Sequence, residues 1–298
     1  VGKQIQHESY GKGKHTIVDN AFTIEDDLVV ELEETFGSPN YQPPLLPRAA
    51  TELLALSRDP GVSMERVHDL LETDALLAAR VLKIAQSPFY AGSAKLTSLK
   101  NAIVRIGLNT LRDVVMEAAM NMKVFRSQTH QSTMNALQTH SRVTAHLCRV
   151  VCRYTSIDGE FAFLCGLLHD VGIAGALLLS AEGKIGEGVA PDVLWSAVQK
   201  KHALGSQRMC ELWGLPPDIQ WAVGFHHQIE QDGFVHPMAA VICIAEHFAN
   251  KAGAKLHDSI DPHSDALFAK ACQGLDIDNA KLEQIEKAAV AALEDVLG

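Results

Sequence analysis

Apolar residues recur at intervals of three and four along most of this chain, and no other feature narrows its fold so far. From Arg48 to about Phe125 the pattern runs through Leu53, Leu54 and Leu56, then Val67, Leu70 and Leu71, then Leu76, Leu77, Val81, Leu82 and Ile84. Strands would alternate every second residue, so this spacing predicts helices. Asp59-Pro60-Gly61 marks a turn, Ser63 can cap the helix after it, and Ser87-Pro88 stops another before a loop through Gly92. Leu99 to Val124 reads as one long helix interrupted only by Gly107, with Met116, Met120 and Met122 as adaptable filler. Helical runs continue over Ser132–Tyr154, Gly159–Leu179, Pro191–Trp213, Pro217–His227, Pro237–Lys251 and Asn279–Leu297, separated by Gly, Pro, Ser or Asp. Nothing between them reads as a paired strand, and internal repeats are absent.

The expected fold class is therefore all-α. With 298 residues and 47% hydrophobic content the chain can bury a large core without staples. Three units are expected: a flexible arm over residues 1–20, a helical unit over 21–130 and a second helical unit over 131–298. Six acids between Glu25 and Glu34, with Leu28, Leu32 and Phe36 at helical spacing, predict a surface helix with a solvated acidic face, stopped by Gly37, Ser38 and Pro39. Cys148, Cys152, Cys165, Cys210, Cys243 and Cys272 sit singly in apolar segments and read as buried thiols. A formal charge of −10 gives no broad electrostatic footprint for nucleic acid or an anionic membrane, so neither is an expected partner. No apolar run is read as approaching the roughly 20 residues that cross a bilayer, and the first 30 residues lack the order of a secretory signal. A cytoplasmic protein is expected.

Fourteen histidines are many for such a chain. His169 and Asp170 end the apolar sequence Phe161-Ala-Phe-Leu-Cys-Gly-Leu-Leu-His-Asp-Val-Gly, read as a buried helix finishing near Gly172. Burying Asp170 there is costly without a cation or good donors, and a divalent metal would supply one. The ordinary alternative is a capping aspartate beside a satisfied core histidine. His140, His202, the pair His226 and His227, and Glu246 within Ala239-Ala-Val-Ile-Cys-Ile-Ala-Glu-His-Phe occupy similar buried or helix-terminal points on other segments. The half from Arg48 to Phe125 shows no acid and histidine cluster on a common face. Lys200, Lys201, Arg142 and Arg208 read as a solvated helix face. His146, six positions after His140, falls on the opposite side of its helix, and His236, His247, His257 and His263 have no clear partner.

With these residues in place, the chain resembles the HD superfamily of metal-dependent phosphohydrolases, and in particular its HDOD branch. The likeness rests on Leu46-Pro47, Arg58-Asp59-Pro60, Asp74-Ala-Leu-Leu-Ala-Ala-Arg-Val-Leu82, Ala85-Gln-Ser-Pro-Phe-Tyr90, Ala102-Ile-Val-Arg-Ile-Gly107 and Gly166-Leu-Leu-His-Asp-Val-Gly172. It implies a multi-helix HD-domain-like bundle with an N-terminal helical HDOD subdomain. The order of His140, His169-Asp170, His202, His226-His227 and Glu246 is similar to the metal shell of the HD-GYP phosphodiesterases that cleave cyclic dinucleotides. By that resemblance Asp170 bridges two metals, with His140, His169 and Glu246 around one and His202, His226 and His227 around the other. His226-His227-Gln228 with Asp232-Gly233 and Pro237 resembles a degraded GYP outline. Ile173 stands where those enzymes carry a phosphate-contacting lysine, Ala136 replaces an acid used for a third metal, and Glu246 takes the place of an aspartate.

The resemblance thus implies two divalent first-row ions, Fe, Mn or Zn, giving a local positive excess that the acidic chain otherwise lacks. The expected reaction is hydrolysis of a phosphomonoester or phosphodiester, with Asp170 and His202 as the catalytic residues and an activated water attacking in line. The expected substrate is a phosphorylated small molecule or a nucleotide, in bacterial-style signal transduction. The alternative is a regulatory interaction module that binds a signalling protein and keeps a structural or vestigial metal site.

Overall fold

A computed structural model describes residues 13–59, 61–86, 98–256 and 265–297. Residues 1–12 of the expected arm, Pro60 and the Ser87–Gly92 loop lie outside the described residues, as do His257 and His263. The chain forms α1 (Gly13–Gly37), α2 (Arg48–Leu56), α3 (Met64–Glu72), α4 (Ala75–Ala85), α5 (Leu99–Lys123) and α6 (Gln131–Cys152). It continues through α7 (Ala162–Leu168), α8 (Val171–Ala181), α9 (Pro191–Leu212) and α10 (Pro217–Gly224). A hairpin of β1 (Glu230–Gln231) and β2 (Phe234–Val235) precedes α11 (Pro237–Lys251), α12 (Asp265–Gly274) and α13 (Asn279–Leu297). The all-α reading holds. The hairpin was not foreseen: its two-residue turn, Asp232-Gly233, takes positive φ at both positions, which a pair of aspartate and glycine tolerates.

Two large hydrophobic cores result among the described residues, beside a small contact of Ala85 with Ala102. The smaller joins α2 to α5 through Leu53, Val67, Leu71, Leu77, Val81, Ile103 and Leu111. The larger is built on α6 to α11 and reaches Ile285 and Ala289 of α13. Ser63 caps α3 by accepting from the Arg66 N–H, as its position predicts. Helix α5 is broken inside by Gly107, whose φ of 74° no residue with a side chain adopts cheaply. Beyond the break, Val114, Val115, Ala118 and Ala119 face the smaller core and Met116 and Met120 the larger.

Helix α1 corrects two expectations. It includes residues 13–20 of the expected arm, where no proline interrupts and extending a helix costs less than starting one. Its acidic face is not free in water either. Leu28, Leu32 and Phe36 join the larger core, so the helix packs with α8 and α9 and not with the α2–α5 unit in which the expected division had placed it. Phe36 occupies the space that a side chain at Gly205 would fill, and Met209 and Tyr41 the space at Gly175. Glu25 accepts from Ser196 and pairs with Lys200 at 2.7 Å, Glu33 pairs with Lys201 at 2.5 Å, and Glu31 accepts from the Gly186 N–H. The lysines beside His202 are therefore partners of α1, not a bare solvated face.

The run Gly159–Leu179 is two helices, divided at His169 and Asp170. The stretch Ala162–Ala181, at mean hydropathy 1.9, does have the length and composition to cross a bilayer, contrary to the sequence reading. It is almost wholly buried in the core. Cys148, Cys152, Cys165, Cys210 and Cys243 are buried thiols, whereas Cys272 on short, half-buried α12 is only partly covered.

Candidate metal centre

Five segments converge on one point. His140 comes from the middle of α6, and His169 and Asp170 from the break where α7 ends and α8 begins. His202 comes from α9, His226 and His227 from the end of α10, and Glu246 from α11. All except His227 are between 0 and 2% exposed; His227 alone is partly open. The ligand-type atoms fall into two groups that share Asp170. His140, His169, Asp170 and Glu246 form one, and Asp170, His202, His226 and His227 the other, with the atoms of each group within 4.8 Å of one another.

The close approach of α7 to α6 depends on Gly166, where a Cβ would lie 2.7 Å from the Ala145 Cα. Gly172 does the same for α8 and α9: a Cβ there would lie 2.1 Å from the His202 carbonyl oxygen, and its N–H donates to Ser206 Oγ at 2.8 Å. Glycine after the His-Asp pair thus brings Asp170 onto the helix that carries His202.

Local hydrogen bonds fix how each imidazole points. Nδ1 of His169 donates to the Gly166 carbonyl at 2.9 Å, Nδ1 of His202 to Gln199 at 2.8 Å and Nδ1 of His226 to Val223 at 2.6 Å, each three residues back. Nδ1 of His140 donates to the Ala254 carbonyl at 2.7 Å. A carbonyl only accepts, so each of these four Nδ1 atoms carries a proton and each Nε2 turns inward. These inward atoms crowd one another. His140 and His169 Nε2 are 3.2 Å apart, His202 and His226 Nε2 3.3 Å, and His202 and His227 Nε2 2.8 Å. The Asp170 carboxylate stands among them, Oδ2 at 3.3 Å from His169 and 3.6 Å from His140, Oδ1 at 3.2 Å from His202 and 3.4 Å from His226. Asp170 Oδ1 has no hydrogen-bond donor among the described residues.

Acceptors that face acceptors in a buried space require positive charge between them, either extra protons or a cation. Protons are a poor answer for two of the rings. Burial, reinforced by neighbouring imidazoles, pushes the pKa of His140 and His226 down. Burial also opposes protonation of His169, but Asp170 and Glu246 outweigh it and raise that ring. Asp170 itself, against the cost of burial, is held well below the usual carboxylate range by His169 and His202. A set of imidazoles with their second nitrogens tied to backbone, around a buried ionised carboxylate, fits a first-row divalent cation.

All seven residues singled out from the sequence are gathered here. His146 is on the opposite side of α6, as its spacing requires, but it is buried, edge-on to Phe163. Ile173 is 1% exposed and apolar. Another group, His68, Asp69 and Glu72 on α3, corrects the reading that the first half holds no such cluster. It follows from adjacent and one-turn spacing; His68 faces Asp69 and Glu72 at 3.4 Å each on the surface, where water and mutual pairing suffice. Sequence reasoning missed the carbonyl anchors Gly166, Gln199 and Val223, whose one signal is a histidine three residues further on, and Ala254, which has none.

The sequence profile of the HDOD domain matches residues 44–229. Among solved structures, an HDOD domain protein of unknown function from Geobacter sulfurreducens aligns with a TM-score of 0.67 at 21% identity, over 91% of this chain and 96% of that one. A candidate metal-dependent phosphohydrolase from Shewanella amazonensis SB2B gives 0.68 at 20% identity, over 91% and 99%. A candidate signal transduction protein from Marinobacter aquaeolei VT8 gives 0.67 at 19% identity, over 94% and 65%. At such identities the likeness is one of fold.

Proposed function

This chain belongs to the HDOD family, and from that premise we propose that it is a metal-dependent phosphohydrolase of signal transduction, acting at the Asp170 cluster on a phosphorylated small molecule or nucleotide. Asp170 would be shared by two ions, with His140, His169 and Glu246 holding one and His202, His226 and His227 the other. When bound, divalent ions supply charge to polarise a phosphoryl group and to activate water at neutral pH. The chain's own residues set the geometry for that chemistry. The backbone carbonyls lock the rings, and the surrounding apolar side chains keep water away from the inward nitrogens. His227 marks the solvent side, from which a phosphoryl group would enter. His202, with Nε2 2.8 Å from His227 and 3.2 Å from Asp170, would take its catalytic part as the ligand that joins the buried carboxylate to that side, its Nδ1 proton being tied to Gln199.

The observation that carries this reading is the crowding of inward lone pairs around a buried carboxylate oxygen that lacks a donor. A second reading, a regulatory module with a structural metal, is favoured by one feature. Ile173 offers a buried methyl surface where the resemblance calls for a phosphate-binding lysine. Purification without chelator, followed by counting Mn, Fe and Zn per chain, tests the centre; less than half an equivalent after supplementation rejects it. Hydrolysis of phosphoesters, nucleotides and cyclic dinucleotides by wild type and Asp170→Ala then separates the readings. Loss of turnover in the variant supports the hydrolase, and equal residual rates leave the regulatory module.

A further inference from the structure

Helix α7 delivers His169 and Asp170, yet it is only seven residues long, about 10 Å from end to end. Its N-cap, Phe161, makes no capping hydrogen bond with its side chain. So short a helix takes its stability and its placement from what surrounds it. Leu164, Leu167 and Leu168 bury it in the core, but apolar contact is non-directional and fixes its sliding and rotation poorly.

Directional contacts are concentrated at its start. The Arg112 guanidinium of α5 lies 4.6 Å over the Phe161 ring, and its Nη2 donates to the Glu160 carbonyl at 2.6 Å. The Arg149 guanidinium of α6 lies 4.6 Å over the Phe163 ring, which His146 meets edge-on. One carboxylate joins the two cations: Asp113 Oδ1 accepts from Arg112 at 3.0 Å and Oδ2 from Arg149 at 2.5 Å. Arg112 and Asp113 are each 1% exposed. A buried ion triad is a poor device for stability, since apolar groups of equal volume do as well or better; its best-attested use is to fix register.

We propose that Arg112, Asp113 and Arg149 are positioning residues, a clamp on Phe161 and Phe163 that sets how deeply α7 carries His169 and Asp170 into the cluster. The proposal rests on the metal-centre reading for its functional meaning, but not for its geometry.

The test compares wild type with the volume-matched triple variant Arg112→Met, Asp113→Leu, Arg149→Met. The variant is expected to melt within about 5 °C of wild type. It should bind Co(II) at least ~10-fold more weakly and with an altered ligand-field spectrum. In both proteins freed of metal, nitrogen resonances of ¹⁵N-labelled histidines report ring environment directly. Shifted His140 and His169 signals support the clamp; unchanged signals together with unchanged Co(II) binding overturn it. If wild type binds no Co(II), the metal reading fails, and the histidine signals alone decide the clamp. Should the triple variant not fold, Arg149→Lys, which keeps the charge but not the planar stack, takes its place, with the same signals expected to move.

Discussion

Two polar clusters are buried on opposite faces of α6, and they are satisfied in opposite ways. On one face, His140 meets His169, Asp170 and Glu246. On the other, nine residues on and half a turn away, Arg149 meets Asp113 and Arg112. In the second cluster donors face acceptors, guanidinium to carboxylate, so it is paired within itself apart from Arg112 Nη1, which stands 3.6 Å from Glu160 Oε1. In the first, lone pairs face lone pairs and one carboxylate oxygen has no donor. The contrast teaches what a binding site looks like before its ligand is considered: not merely buried polarity, but buried polarity of one sign of hydrogen bonding.

Removing the central residue of the open cluster should break the comparison most severely. If wild type holds the two ions proposed, Asp170→Asn is expected to drop bound metal to under half an equivalent, as counted by elemental analysis. It should also abolish the thermal upshift that wild type shows with Mn, which corresponds to about 4 kcal/mol at a thousandfold excess over Kd. An unchanged upshift would mean that Asp170 does not gather the cation. The paired cluster should respond first in stability, and in metal binding only through the placement of α7. Asp113→Ala, which leaves Arg112 buried without its carboxylate, is expected to cost about 3–5 kcal/mol by urea unfolding of the metal-free protein. A cost near zero would show that the cluster is not paired in the sense described.

A third substitution acts between the two. Gly172→Ala would drive a Cβ to 2.1 Å from the His202 carbonyl, so α8 and α9 must separate. A loss of about 1–3 kcal/mol is expected, accompanied by weaker binding in the His202 half of the site, read by titration of metal per chain.

The last effect is one of pH. Burial raises the Glu117 carboxyl from 4.5 to about 7, against the pull of Arg142 and Arg149. Between those values the folded protein holds a proton that the unfolded chain has released. Glu117 therefore contributes a loss of stability, up to about 3 kcal/mol, as pH rises from about 4.5 to about 7. It is read as the difference between wild type and Glu117→Gln, because His146, held down to about 3 by burial, acts in the opposite sense in both proteins. Urea midpoints at about pH 5 and about pH 8 measure the difference.

Helices were legible where the chain punctuates them. Pro237–Lys251 and Asn279–Leu297 were read at their observed bounds, whereas α12 escaped notice because it buries only Ala271 fully. The gathering of His140, Asp170, His202 and Glu246 was legible because ligand-type residues in greasy helices have few other uses. The paired cluster was not foreseen, although Asp113 and Glu117 sit one turn apart between Leu111 and Met120, in a setting as apolar as that of Glu246. Charged residues on a helix default to a solvated reading, and only the packing of α5 on α6 and the Glu160–Phe161 loop reveals otherwise. The pairing of Glu25 with Lys200 was hidden for the same reason, since 175 residues of chain separate the partners.

The break between α7 and α8 has a consequence for how the chain is handled while it is being made. Ala162–Ala181 leaves the ribosome as twenty residues with the apolar character of a bilayer anchor. Asp170 is ninth in that stretch, near the depth where an ionised carboxylate opposes insertion by about 2.5–3.5 kcal/mol. The residue that organises the finished site therefore also makes the nascent segment a poor client for the translocon, and favours its burial among its own neighbours.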